Sequence, residues 1–527
     1  MSWWRSGVLY QLYPRSFADA NGDGHGDLEG VIAHLDHLAW LGVDAIWLNP
    51  IHPSPNADWG YDVADYLDVH PDFGDLATLD RLIARAADHD IRVVLDLVPN
   101  HTSDRHPWFE DARTSRTAEH RDWYVWADAR PDGSPPNNWV SVFGGAAWTW
   151  DETTQQYYLH NFLAEQPDLN WWNEEVRSAF DDILRFWFDR GIAGFRIDVA
   201  HGIVKDIDLR DNPLAVEGDD ALTHSLGQRQ EFNMNRPEVH DVIRRWRAIA
   251  DRYDQEPILV GETWVADLTR LMRFYGDGTD ELHLALNVPF VLAELGDEMR
   301  VIVEREEVVI PVEAWPTWTG SNHDAARFPT RWCDGDDRKI RAALVMLLML
   351  RGTPILYYGD EIGMSDVAVP EDRLRDPVGL RGWPAEPGRD RARTPMPWTG
   401  EANLGFTLPG VEPWLPVGDP AINVADQRED PGSVLNLTRA SIALRRAGPD
   451  LRESSYAAVE APDGIWAWRR GSGTLVVLNH SDDPIDEDVG VGEILLSSQA
   501  NRAGQRIEQR VRVEPWEALV IAEQTRA

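Results

Sequence analysis

The sequence predicts an α/β fold closed into a barrel of eight parallel strands. Three observations carry that reading. Short apolar strands alternate with amphipathic helices from the N-terminus to about residue 449. The strand-like segments number eight, the closure number of a (β/α)8 TIM barrel. Polar residues recur at the C-terminal ends of those segments, where such a barrel keeps its site.

The strands are expected at 8–13, 45–48, 93–98, 194–199, 258–261, 283–287, 317–320 and 354–358. Their apolar runs are short, and helical patterns lie between them. Helices are expected at 28–41, 76–87, 174–189, 237–253, 338–350 and 433–446; in the first, Leu28, Ile32, Leu35, Leu38 and Ala39 share a face. The rhythm stops over 102–172, which is rich in Trp, Asp, Pro and Asn and has no helical period. A stretch that long without βα alternation reads as an inserted subdomain after the third strand. The barrel is therefore divided into 1–101 and 173–449, with an irregular Pro- and Gly-rich excursion at 365–430. Residues 450–527 switch to short alternating strands, which predicts a C-terminal all-β sandwich domain.

The chain has 527 residues, 43% of them hydrophobic, enough for a large core. Its formal net charge is −39. That field repels nucleic acid and anionic membrane surfaces and tolerates a neutral ligand. The cations are nearly all arginine; Lys205 and Lys339 are the only lysines. Cys333 is the sole cysteine, so no intrachain disulfide forms, as in a reducing compartment. The N-terminus shows no signal-peptide pattern, and no apolar run reaches membrane length. The expected location is cytoplasmic, as a monomer or dimer.

On the fourth strand Arg196 and Asp198 are two apart, so both face the barrel interior. A guanidinium beside a carboxylate favours the ionised form, which a nucleophile requires. A buried structural ion pair fits the same spacing. Glu262 ends the fifth strand, where neighbouring carboxylates would raise its pKa toward that of a proton donor; a solvated glutamate is the plainer alternative. Asp324 adds a third carboxylate after the seventh strand, and Asp96 in the third reads as an interior hydrogen-bond anchor. His101 and His323 stand at strand ends without a third histidine to complete a zinc site, so they suit hydrogen bonds to a neutral polyhydroxyl substrate. Among the 25 tryptophans, Trp139, Trp148, Trp150, Trp171 and Trp172 cluster in the insert and suit stacking on sugar faces.

Asp19, Asn21, Asp23, His25 and Asp27 place oxygen- or nitrogen-bearing groups at every second position, with glycines between. This matches the first nine positions of an EF-hand loop, although Gly30 replaces the bidentate glutamate. A structural Ca2+ loop is expected, with Mg2+ or a metal-free glycine turn as alternatives.

Taken in order, 96–101 (DLVPNH), 194–198 (GFRID), 261–262 (GE) and 322–324 (NHD) resemble the α-amylase family of glycoside hydrolases over nearly the whole chain. Asp58, the run 60–63 (GYDV), 166–171 (QPDLNW) and 393–398 (RTPMPW) are similar to its oligo-1,6-glucosidase and α-glucosidase branch. The resemblance implies Asp198 as nucleophile, Glu262 as acid/base and Asp324 as transition-state stabiliser. It implies that His101, Arg196 and His323 bind the first sugar, and that Asp58 and Arg389 close the pocket, with Tyr61 as a platform and Phe162 nearby. It also implies that the loop from Asp19 to Asp27 is the branch's metal site. Pro397 departs from the branch, which often has Gln there.

The function so implied is an exo-acting retaining α-glucosidase on short α-glucosides such as maltose or isomaltose, with transglucosylation as a side reaction. A glucosyltransferase or isomerase of the same branch, of sucrose isomerase or trehalose synthase type, shares every one of these residues. In this branch a Val after the nucleophile, here Val199, goes with α-1,6 cleavage and Thr with α-1,4, yet Ala200-His201 is unlike the usual oligo-1,6-glucosidase continuation. A non-catalytic transporter partner is disfavoured, because all three carboxylates are present.

Overall fold

A computed structural model of the chain describes residues 2–499 and 501–524, apart from the side chains of residues 221 and 222. Eight strands form one sheet: β1 Leu9–Leu12, β2 Ala45–Leu48, β3 Arg92–Leu97, β4 Gly194–Ile197, β5 Ile258–Gly261, β6 Leu284–Ala285, β7 Thr317–Thr319 and β8 Thr353–Tyr357. Their order is β7-β8-β1-β2-β3-β4-β5-β6, and every pairing is parallel. This is a (β/α)8 barrel, closed but for a ladder between β6 and β7, which is absent among the described residues.

The period of two in each strand builds the barrel interior in layers. Leu9, Trp47, Val94 and Val260 belong to one interior apolar cluster. Two residues further along the same strands come Gln11, Asn49, Asp96 and Glu262, all buried and all polar. In register, Asp96 on β3 pairs with Arg196 on β4, which pairs with Val260 on β5. The apolar floor thus carries a polar layer at the C-terminal ends of the strands.

Some elements end earlier than the sequence reading places them. The fourth strand stops at Ile197 because Val199 turns into the left-handed region, at φ 45°. The sixth, expected over 283–287, is only Leu284–Ala285, because Asn287 at once caps the helix Val288–Leu292, accepting from Phe290 N. The helix expected at 28–41 is two, Leu28–Ala33 and Leu35–Leu41. They break at His34, whose ring nitrogen bonds Gly30 O (2.9 Å) and whose ring lies 3.8 Å from that of Trp398. The remaining helices follow the predicted faces, for example Glu174–Asp189, Val239–Ala250 and Val434–Ala447, the last capped by Ser433.

Between β3 and β4 the chain forms a three-stranded antiparallel sheet, Trp126–Ala127, Trp148–Asp151 and Gln156–Leu159, with a helix at Pro107–Ala112. Lys205, from the loop after β4, lies 2.9 Å from Asp168 and fastens this insert to the barrel. After Val434–Ala447 come a six-stranded antiparallel sheet and a two-stranded one. Val477 and Leu519 of the first and Val511 and Val513 of the second share an apolar core. A buried arginine of the first sheet joins it to the barrel, Arg470 Nη1 donating to Met349 O (2.9 Å) and Leu350 O (2.8 Å), while Arg445 Nη1 of the barrel helix Val434–Ala447 donates to Leu348 O (2.8 Å) beside it. They satisfy carbonyls left open at the end of the helix Asp337–Met349. Among the described residues no helix is long and apolar enough to cross a membrane.

Candidate active site

The polar layer converges on one guanidinium. Arg196 Nη1 donates to Asp198 Oδ1 (2.7 Å) and to Asp96 Oδ1 (2.8 Å), while Nη2 lies 2.7 Å from Glu262 Oε2. Its carbon sits 5.3 Å over the Trp47 ring and 5.8 Å over that of Tyr61. One buried positive charge therefore faces three buried carboxylates.

This corrects the simple picture of Arg196 holding Asp198 ionised. Burial pushes the Asp198 carboxyl well above the usual range; Glu262, Asp96 and Asp324 push the same way, and Arg196 opposes them. Asp96 is likewise raised by burial, to about 6, against the pull of Arg196. The cluster has too little positive charge to keep every member ionised.

Glu262 meets three protein donors, as Asp96 does, whereas Asp198 meets Arg196 alone among the bonds described. Arg196 and the Val199 N–H (2.9 Å) meet Glu262 Oε2, and Trp264 Nε1 donates to Oε1 (2.6 Å). The strained backbone at Val199 aims that N–H, since a β-branched residue at positive φ is held there only by its surroundings.

Asp324 belongs to a second knot. Arg389 Nη1 (3.0 Å) and Arg393 Nη2 (3.1 Å) donate to its Oδ1, and His323 Nε2 lies 3.1 Å from Oδ2. Burial raises this carboxyl, but His323, Arg389 and Arg393 outweigh it and hold it below the carboxylate range. Arg389 also reaches Asp58 Oδ1 and Asp376 Oδ1, both at 2.6 Å. Asp376, in the irregular excursion, is held down to about 2: burial opposes, and Arg389 and Arg393 prevail.

The two histidines are neutral. Burial lowers His101 to about 4 and His323 well below its ordinary value. The Tyr61 ring stacks on His323 at 5.2 Å and 5°. The Tyr61 hydroxyl donates to Asp96 Oδ2 (3.0 Å). His101 Nε2 contacts Tyr61 O (3.0 Å) and the Gln166 amide (3.1 Å), and its ring is 5.2 Å from Phe162.

These groups surround a cavity of about 210 Å³. Asp58, Tyr61, His101, Phe162, Asp198, Glu262, Asp324 and Arg389 line it. Arg196 and His323 stand behind that wall, bonded to the lining carboxylates. Sequence reasoning missed Phe143, His201, Gln230, Met234 and Trp264, which also line it. Phe143 covers Arg389, whose carbon is 5.3 Å from the ring; it comes from an irregular loop with no motif to mark it. Pro397 is not in the lining, and its carbonyl accepts from Val424 N (3.0 Å).

One expectation is corrected. None of the five tryptophans of the insert lines the cavity. Trp139 and Trp148 pack in the insert's own core, and Trp171 packs against Phe180 and Trp246. Trp150 meets Tyr157 edge to face, and Trp172 is 38% exposed elsewhere. In the loop from Asp19 to Asp27, the His25 imidazole Nδ1 lies 3.0 Å from Arg15 Nη1. The other side chains bond the loop's own backbone: Asp19 accepts from Gly22 and Gly24 N, and Asp27 from Ala20, Asn21 and Gly30 N. No group of three or more His, Cys, Asp or Glu that could hold a metal ion is found among the described residues.

The family model "Alpha amylase, catalytic domain" matches residues 11–454. The chain is 40% identical to a probable alpha-glucosidase of Rhizobium meliloti, over 98% of this chain and 96% of that one. It is 38% identical to an oligo-1,6-glucosidase of Heyndrickxia coagulans, over 86% and 87%. Among solved structures it is similar to an alpha-glucosyl transfer enzyme (39% identity, TM-score 0.92, 99% of this chain and 100% of that one) and to a trehalulose synthase (31%, 0.90, 99% and 100%). The match over most of the chain, with an eight-stranded parallel barrel beneath it, makes this protein a glycoside hydrolase of the α-amylase family.

Proposed function

We propose that the protein is an exo-acting retaining α-glucosidase that frees glucose from the non-reducing end of short α-glucosides. The observation that carries this is the bridge of Asp198 and Glu262 by one Arg196 guanidinium, on a cavity that Asp58 and Arg389 wall off. Neighbouring nitrogens of one fork favour a short carboxyl spacing of about 5 Å, suited to retention, over the roughly 6.5–9.5 Å of inversion.

The first step requires Asp198 ionised and Glu262 protonated, the one proton that the cluster's short supply of positive charge leaves in place; an Asp198 carboxylate oxygen then attacks the anomeric carbon. The glycosidic bond breaks, and the Glu262 proton passes to the leaving oxygen. In the second, a water gives its proton to Glu262 and its oxygen to the anomeric carbon, which releases Asp198. Asp324, kept ionised by Arg389 and Arg393, accepts sugar hydroxyls that tighten as the ring distorts. His101 and His323, neutral at physiological pH, suit an uncharged sugar.

A sugar hydroxyl in place of the second water gives transfer or isomerisation. The similarity to an alpha-glucosyl transfer enzyme and a trehalulose synthase favours keeping that reading second. Maltose, isomaltose and sucrose, assayed side by side, separate the two. Free glucose from maltose or isomaltose, appearing first as the α-anomer, is the expected result, and its ratio sets the linkage preference. Consumption without free glucose moves the protein to the transferases, and a β-anomer first rules out retention.

The loop from Asp19 to Asp27 is proposed to hold a structural Ca2+, with Mg2+ as the lesser candidate. Asp19 and Asp27 are buried carboxylates whose oxygens keep lone pairs beyond the N–H bonds they accept, and Asn21 and Asp23 supply further hard oxygen donors. Chelation is expected to lower the Tm by several degrees, with Ca2+ restoring it. Asp27 also caps Leu28–Ala33, so Asp27→Ala lowers the Tm by itself. The decisive readout is that this variant no longer responds to Ca2+; an unresponsive wild type removes the metal.

A further inference from the structure

A second cleft, of about 640 Å³, adjoins the glucose cavity, and the two share Gln230 and Trp264. Trp264 is the partly buried residue between them, and its indole N–H is the only donor on Glu262 Oε1 among the described bonds. The other oxygen of Glu262 is taken by Arg196 and Val199. All three partners donate. A carboxyl that gives a proton to a leaving oxygen must instead turn one oxygen, carrying hydrogen, toward the substrate. With Arg196 buried and Val199 N–H fixed in the backbone, Oε1 is the oxygen that can be freed, and Trp264 is the group that must free it.

We propose that Trp264 is a positioning residue coupling leaving-group binding to Glu262. A leaving group entering by the second cleft shifts the indole, the N–H leaves Oε1, and that oxygen takes up a proton from solvent, which it then passes to the glycosidic oxygen. While the indole donates to Oε1, it stabilises the ionised carboxylate and opposes the acid form. The coupling rests on the assignment of Glu262 as acid/base above.

Trp264→Phe keeps an aromatic ring and removes the donor. Losing a donor to the carboxylate favours the protonated form, so the acid persists to higher pH. The alkaline limb of kcat/KM for maltose or isomaltose is expected to move up by about one pH unit. Aryl glucosides with a good leaving group need no proton in the glycosylation step that kcat/KM reports. For p-nitrophenyl α-glucoside the limb is expected to stay where the wild type has it. A structural role alone would lower both substrates in parallel at every pH.

Limbs unmoved for both substrates, or moved equally for both, overturn the Trp264 role. Glu262→Gln separates this from failure of the assignment beneath it. That variant is expected to lose disaccharide cleavage far more than aryl glucoside cleavage; equal losses remove Glu262 as the acid, and the coupling with it.

Discussion

Asp198→Asn is expected to lower kcat/KM for the preferred disaccharide by about 10⁴- to 10⁶-fold, the loss typical of a removed nucleophile. The amide is isosteric and cannot attack the anomeric carbon. The fold is expected to survive and to gain stability, for an electrostatic reason. Asp198, Asp96 and Glu262 all lean on Arg196, and burial with like charges drives the Asp198 carboxyl upward. A carboxyl raised in the fold is already ionised in the unfolded chain above about pH 4, so ionisation costs the native state stability as pH rises through the gap. The neutral amide escapes that cost. The Tm of Asp198→Asn should therefore exceed that of the wild type at neutral pH, with the difference vanishing toward pH 4. Calorimetry across this range, beside the kinetics, checks both halves. Activity within a hundredfold of wild type sinks the nucleophile assignment. A Tm below wild type at neutrality sinks the account of the shared guanidinium.

That account also shows what the sequence could and could not convey. Arg196 and Asp198 are readable as a pair because a strand repeats every two residues. The third and fourth partners, Asp96 and Glu262, come from β3 and β5. Their meeting depends on the register Asp96↔Arg196↔Val260, which no single segment encodes. The carboxylates at strand ends were legible as candidates; the ratio of one cation to three anions was not. The irregular segments were opaque for a different reason. Phe143, Trp264 and Asp376 lie where there is neither a helical nor a strand period, so nothing local ties them to the cavity. The tryptophans of the insert misled because composition reports aromatic mass without saying which face is covered. Trp139 and Trp148 stack on one another at 6.0 Å inside a core of their own. The sixth strand was overestimated because Asn287 reads equally as a strand end and as a helix cap.

Arg389→Lys is the sharper test of the closed end of the cavity. Arg389 serves Asp324, Asp58 and Asp376 at once, with Nη1, Nη2 and Nε in fixed directions. Asp58 and Asp376 are buried, and burial, with the Asp376 charge beside it, raises the Asp58 carboxyl against the pull of Arg389 and Arg393. A lysine keeps the charge but presents a single compact ammonium, which cannot reproduce a planar fork. It can satisfy one carboxylate well and leave another buried and short of a partner. The expected result is a fall in kcat/KM of about 10²- to 10³-fold, in line with loss of positioning at the reacting ring. Part of it should appear in KM, because Asp58 and Arg389 are proposed to grip the non-reducing end before reaction. Arg389→Met removes the charge as well and should cost more stability, roughly 3–5 kcal/mol as for a broken buried pair. If the wall were only structural, lysine and methionine would lower the Tm and activity in step. The proposed role requires a different pattern: lysine close to wild type in Tm and far below it in kcat/KM. A lysine variant within a few fold of wild type would mean that charge alone, and not the fork, holds the end of the pocket.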